Sequence, residues 1–229
     1  MRWLLAAVLL MVAAPAYAQQ NDAEKLYRTM EKKIASAKSL KVACDADGEF
    51  GGAPAKMTAS TQLADGNKAR IDFTIEIGGM NFKVALVADG KQLAQTTPFG
   101  PAPKMQAAPA NLNKILAGAL ARAGVVATAG ITDKDDLASF DLDKKAPISD
   151  FKMGAKDKVG KADAQIIEYI VTFDGTDKTS VKLWIDTKTN LPLKRQLFDE
   201  IKKDGKITET YTEFVIDPQL DAKVFELPK

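Results

Sequence analysis

The spacing of apolar positions changes along the chain and divides it into helical and extended stretches. From Asn21 to Ser39, Leu26, Tyr27, Met30, Ile34 and Ala37 recur at helical intervals, while Lys25, Arg28, Lys32 and Lys33 fall mostly elsewhere. Asn21 with Glu24 three residues on is close to a capping box, so the pattern predicts an amphipathic helix over 21–39. From Leu40 the period becomes two. Leu40, Val42 and Cys44 alternate with Lys41, Ala43 and Asp45, and Met57, Ala59, Thr61 and Leu63 form a weaker strand. Ala69, Ile71, Phe73, Ile75 and Ile77 alternate with Arg70, Asp72, Thr74 and Glu76, the mark of a half-buried strand. Gly78-Gly79 closes a hairpin onto Met80, Phe82, Val84, Leu86 and Ala88, and Asp89-Gly90 turns into the next strand. Strands joined by such short turns are antiparallel.

The middle of the chain reads differently. Prolines at 98, 101, 103 and 109 argue against a strand interior over 98–110. Leu112, Ile115, Leu116, Ala119, Leu120 and Ala123 then form one apolar stripe, which predicts a helix over 111–124. Arg122 sits in its last turn, and Gly124 is placed to cap it. Residues 125–150 give no clear element. The last third returns to strands at 164–174, 179–186, 191–201 and 207–217, with turns at Lys188-Thr189-Asn190 and Asp204-Gly205. Leu220, Val224 and Phe225 suit a short closing turn after Pro218. The sum is a mainly β domain with helices (α+β), of about ten antiparallel strands. One curved sheet carries one helix before it and one inserted midway, both on its concave side.

The first residues carry a separate message. Met1-Arg2 is followed by an uncharged run from Trp3 to Ala14 and then by Ala16-Tyr17-Ala18, an A-x-A cleavage pattern. We read residues 1–18 as a secretory signal peptide, too short and wrongly flanked for a transmembrane helix, and residues 19–229 as the exported domain. Gln19 stands where a lipid-anchored protein would carry cysteine. The expected location is the periplasm.

Charge and composition then narrow the chemistry. Lys+Arg is 32 and Asp+Glu 30, a formal net charge of +2, which gives no electrostatic footprint for nucleic acid. The chain has no histidine, which removes histidine-based acid–base and triad catalysis and nearly every zinc or copper site. A single cysteine makes no internal disulfide, and Cys44 reads as a small core residue on an apolar strand face. Gly154 to Lys161 has five residues between its glycines where a phosphate loop has four, and Ala162 where that loop has Ser or Thr. A lysine-rich hairpin is the better reading. Asp133, Asp135 and Asp136 lack the alternation, glycine and distal Glu of a calcium loop. No catalytic residue, metal site or cofactor is expected, and a binding protein is favoured over an enzyme.

The C-terminal third resembles the LolA-like superfamily of periplasmic lipoprotein carriers and envelope sensor domains. Lys182-Leu183-Trp184-Ile185-Asp186 followed by Asn190-Leu191-Pro192-Leu193-Lys194 is similar to that family's strand–turn–strand segment. Thr210 to Phe214, Asp217-Pro218 and Phe225 are similar to its last strand and closing segment, and Ala23 to Val42 to its opening helix and strand. The resemblance implies a half-open antiparallel barrel lidded by helices, with an apolar cavity that takes lipoprotein acyl chains. It also implies an arginine before a proline on an early strand that holds the lid shut. No Arg-Pro pair occurs here, and Arg70 is the only arginine of that region.

The expected function is a non-enzymatic periplasmic carrier of acyl chains from lipoproteins or other lipids. The alternative is an envelope sensor or interaction module whose barrel is filled by its own side chains. Expected cavity-lining residues are Ile71, Phe73, Ile75, Met80, Phe82, Val84 and Leu86 from the sheet, with Leu112, Ile115, Leu116 and Leu120 from the lid. Expected partners are acyl chains and envelope membrane proteins, with a monomer as the working unit and no membrane-spanning segment. Cleavage between Ala18 and Gln19 is checked by N-terminal sequencing of protein recovered from the cell envelope. A chain starting at Gln19 is expected, and one starting at Met1 ends the export reading.

Overall fold

The computed structural model describes residues 14–50, 52–96, 103–132, 141–199 and 205–228. Helix α1 (Ala14–Ala35) is followed by five strands: β1 (Ser39–Phe50), β2 (Ala53–Ala64), β3 (Lys68–Ile77), β4 (Met80–Asp89) and β5 (Gln92–Thr96). A short β6 (Lys104–Ala107) leads to helix α2 (Leu112–Thr132) and the one-turn α3 (Leu142–Lys145). Then come β7 (Ile148–Val159), β8 (Ala162–Phe173), β9 (Asp177–Asp186), β10 (Pro192–Asp199) and β11 (Lys206–Ile216), with a closing 3-10 turn at Ala222–Phe225.

All eleven strands form one antiparallel sheet in the order β6-β5-β4-β3-β2-β1-β11-β10-β9-β8-β7. The first and last strands pair at the centre, Leu40 opposite Ile216 and Val42 opposite Phe214, so the two halves of the chain join along β1 and β11. Among the described residues the outer strands β6 and β7 do not pair with each other, and the sheet is not closed. Edge β7 carries two register breaks and Lys152, Lys156 and Lys158, features that discourage pairing with another chain.

Local chemistry explains most of these elements. Gly78 and Gly79 both adopt positive φ, 58° and 80°, which lets a two-residue turn match the twist of β3 and β4. The β3 and β4 positions of like parity then face each other: Ile71 with Leu86, Phe73 with Val84, Ile75 with Phe82, and Ile77 with Met80. Two expectations need correcting. The first helix runs from Ala14 to Ala35, not 21–39: alanine and glutamine before Asn21 are good helix formers. Asn21 therefore lies inside the helix and does not cap it, and beyond Ala35 the Asp217 carboxylate takes the N–H groups of Lys38 and Ser39 where β1 begins. The proline-bearing segment does contain a strand: Lys104–Ala107 fits between Pro103 and Pro109 as an outer strand, where prolines on either side cost no ladder bond. Gly124 ends the first helical run with a positive φ, as expected, and a second run follows directly, so that α2 is two half-helices. Asp133, Asp135 and Asp136 lie outside the described residues, as does the apolar run before Ala14.

Both long helices lie on one face of the sheet. The apolar side of α1, Ala23, Tyr27, Met30 and Ile34, is at most 1% exposed and packs on β7 and β8. Tyr27, Phe151 and Tyr169 form an aromatic cluster there, with ring centroids 5.1 to 5.7 Å apart. Helix α2 covers β2 and β3 and touches α1. Cys44 is buried in this layer, and burial pushes its thiol pKa up, which leaves it unreactive. The opposite face has a small core of its own: Ala164, Ile166 and Trp184, with Val159 and Leu193 against them. Trp184 donates from Nε1 to Asp157 at 2.8 Å, and the Lys194 ammonium stands 4.9 Å from its ring centroid. Since Trp184 faces away from both helices, its fluorescence is no direct reporter of anything bound beneath them.

Candidate functional site: a broken helix clamped to the sheet

Helix α2 is broken at Gly124, which has φ 89° and ψ −172°. The apolar stripe ahead of the break holds as expected. Leu112, Leu116 and Leu120 are fully buried and Ile115 is 3% exposed. They share one core with Ile71, Phe73 and Leu86 of the sheet. Seven of the eleven expected lining residues are therefore brought together. Of the other four, Val84 is half-buried and packs against the same core, Ile75 and Phe82 are half-buried, and Met80 at the hairpin tip is 61% exposed. The β3–β4 hairpin carries its apolar face on to Met80, which stands exposed at the tip. Ala18 and Gln19 lie in the first part of α1.

A break in a buried helix leaves orphan carbonyls on one side and orphan N–H groups on the other. Here two charged residues of the sheet satisfy both. Arg195 on β10 and Glu209 on β11 are cross-strand partners and are fully buried on the helix-covered face. The Arg195 guanidinium donates to the carbonyls of Leu120 and Ala121, each at 2.9 Å. The Glu209 carboxylate accepts from the N–H groups of Val126 at 2.8 Å and Val125 at 3.3 Å. The cation thus meets the negative end of the first half-helix and the anion meets the positive end of the second, the arrangement that helix dipoles favour. Tyr211 donates to Glu209 at 2.6 Å, and Tyr169 donates to the Arg122 carbonyl at 2.7 Å. Burial raises the Tyr169 pKa to about 12, so it stays a neutral donor. Burial also works against the Arg195 charge, but Tyr211, Tyr169 and Glu209 facing it outweigh that cost and raise its pKa.

Gly124 is what lets the clamp close. A Cβ there would lie 2.1 Å from Glu209 Oε2 and 2.6 Å from an Arg195 terminal nitrogen. The positive φ adds a second reason for glycine. On its outer side α2 is held by Arg122, which donates to the carbonyls of Leu142 at 2.8 Å and Ala146 at 3.0 Å. Arg122 also pairs with Asp143 of α3 and approaches Glu31 of α1 at 3.4 Å. It therefore ties three helices together, beyond the dipole role its last-turn position implies.

The early-strand Arg70 does none of this. It pairs with Asp72 and donates to the Val224 carbonyl at 3.3 Å, on the face away from α2. The arginine that grips the helix comes from a late strand, and sequence reasoning missed it. The available signal was parity: Glu209 falls between Ile207 and Tyr211 in an inward register, where a charge demands a partner. Among the described residues no group of three acidic, histidine or cysteine side chains is arranged to hold a metal ion, and no helix is long and apolar enough to cross a membrane.

No known protein family profile matches the chain, and no curated protein matches it in sequence. Among solved structures it is similar to the Mycobacterium tuberculosis lipoprotein LppX, at 10% identity and a TM-score of 0.49, over 88% of this chain and 99% of that one. It is similar to MucB at 15% identity and a TM-score of 0.47, over 91% of this chain and 63% of that one, so it spans less than two thirds of MucB. A LolA superfamily protein from Nitrosomonas europaea matches at 10% identity and a TM-score of 0.36, over 90% and 97%.

The clamp sets clear expectations for stability. Arg195→Met and Glu209→Gln should each lower the unfolding free energy by about 3–5 kcal/mol, because each strands a buried charge and orphans backbone groups of α2. Gly124→Ala should cost a similar amount through the contact with Glu209 and the strained φ. Arg70→Ala, removing a half-exposed pair, should cost no more than about 1 kcal/mol. Urea melts followed by circular dichroism check the four values, and a small loss at Arg195 contradicts the clamp.

Proposed function

We propose that this protein is an exported, non-enzymatic carrier that buries acyl chains between α2 and the sheet. Export with removal of residues 1–18, and action in the periplasm, belong to the same reading. The observation that carries it is the way α2 is attached. The cover over the apolar face of β2 and β3 is a helix broken at its midpoint and gripped there by polar groups. Polar bonds of this kind can be exchanged for bonds to water when the helix swings out, whereas a continuous apolar seal has no such substitute. The half-buried Ile75, Phe82 and Val84 and the exposed Met80 form an apolar margin at the end of that face, where a chain can begin to enter.

Magnitudes favour the exchange. Exposing the buried Leu112, Leu116 and Leu120 costs roughly 5–9 kcal/mol, while burying a chain of about 16 carbons contributes on the order of 12 kcal/mol at ~0.8 per methylene. The difference is reduced by the cost of ordering the ligand, which leaves a reversible grip suited to a carrier. The full burial of the three leucines favours a second reading, a sensor or interaction module with a self-filled interior.

One experiment separates the two. Displacement of a fluorescent fatty acid by palmitate, read on the probe because Trp184 faces the other side, should show binding to the wild type. Leu116→Asp should weaken that binding at least about tenfold while the chain still folds, since the charge reaches water when the helix opens. Global unfolding of Leu116→Asp, with no palmitate binding by the wild type, establishes the filled interior instead.

A further inference from the structure

Beside the covered apolar face lies a cleft of 1160 Å³ between α1, the start of α2, α3 and the β2–β3 turn. Its floor is apolar and continuous with the main core, through Leu40, Leu63 and Ile115. Its rim is charged, and the charges are unevenly committed. Three of its four acidic groups are already engaged. Glu31 meets Arg28 and Arg122, Asp143 meets Arg122, and Asp141 caps α3 and pairs with Lys144. On the cationic side, Lys32, Lys38 and Lys114 are exposed, and none is in an ion pair among the described residues. The first turn of α2, which opens into the cleft, holds no acidic residue, so its positive end adds to the same sign. An apolar floor under three uncommitted lysines and a helix N-terminus suits a molecule with a chain at one end and an anion at the other.

We infer that this cleft seats the anionic headgroup, phosphate or carboxylate, of the amphiphile whose chain lies under α2. The inference rests on the carrier reading and adds to it the class of ligand. Ile115 lies on the seam: it is part of the buried stripe of α2 and also lines the cleft, so a chain beneath the helix and a headgroup in the cleft are neighbours. The three lysines set preference between headgroups. The apolar face sets affinity for the chain.

The test compares two ligands that share one acyl chain, lysophosphatidic acid and the corresponding monoacylglycerol, by titration at low ionic strength. The wild type should bind the phosphorylated ligand at least about tenfold more tightly, and the preference should shrink as salt is raised. A variant carrying Lys32→Gln, Lys38→Gln and Lys114→Gln, all at exposed positions, should hold both ligands within about twofold, with monoacylglycerol affinity unchanged. Equal wild-type affinities, or a preference that survives in the variant, overturn the headgroup site and leave the carrier reading standing. Inorganic phosphate binding as tightly as the lipid shows a site for a free anion and also overturns the inference. If neither lipid binds the wild type, the carrier reading itself fails and the headgroup site falls with it.

Discussion

A buried charge in a sheet interior has to be answered, and this structure is arranged around the answer. Arg195 and Glu209 sit side by side on the helix-covered face with no exposure to solvent. Desolvating each costs several kcal/mol, which packing of apolar neighbours does not return. The compensation comes from α2, whose break at Gly124 presents carbonyls to the arginine and N–H groups to the carboxylate. The dependence is mutual. Without the two charges the broken helix would bury unsatisfied backbone groups, and without the break the charges would lose their backbone partners. Glycine at 124 is the single position where both needs meet.

Other features follow from that constraint. The two half-helices point different ends at one spot of the sheet, so α2 is fixed by its middle. Its flanks rest on ordinary apolar contacts with β2 and β3 and on Arg122, which reaches outward to α1 and α3. Tyr169 joins the aromatic cluster under α1 to the carbonyl of Arg122, so the two helices are linked below as well as above. A helix attached in this way has a defined seat on the sheet and polar attachments at its middle.

Much of the architecture was legible in the sequence because it rests on local rules. Alternation in β3 and β4 with Gly78-Gly79 between them specified a hairpin and its register, and the stripe from Leu112 to Ala123 specified a buried helix face. Boundaries were less legible. The first helix extends earlier because nothing before Asn21 breaks it, and the short β6 depends on a neighbouring strand that no local pattern shows. The site itself was half legible. The apolar stripe was readable as periodicity, but Met80 shares the parity of its strand and yet stands exposed at the hairpin tip. The clamp needed knowledge of which late strand lies beneath α2, a contact 75 residues apart in sequence for Arg195 and Leu120. The inward parity of Glu209 marked a charge in need of a partner without naming it. Gly124 looked like a helix end because a left-handed glycine serves equally well as a stop or as a break.

The central claim is that α2 is a separate cover, seated by its middle, rather than part of one indivisible core. Native-state hydrogen exchange reads this directly. Amides of α2 between Ile115 and Thr128 should exchange through an opening of lower free energy than global unfolding and with little denaturant dependence. Amides of β1, β11, β8 and β9 should exchange only with global unfolding. If α2 and the central strands exchange together, with one free energy and one denaturant dependence, the helix is permanent core and the account is wrong.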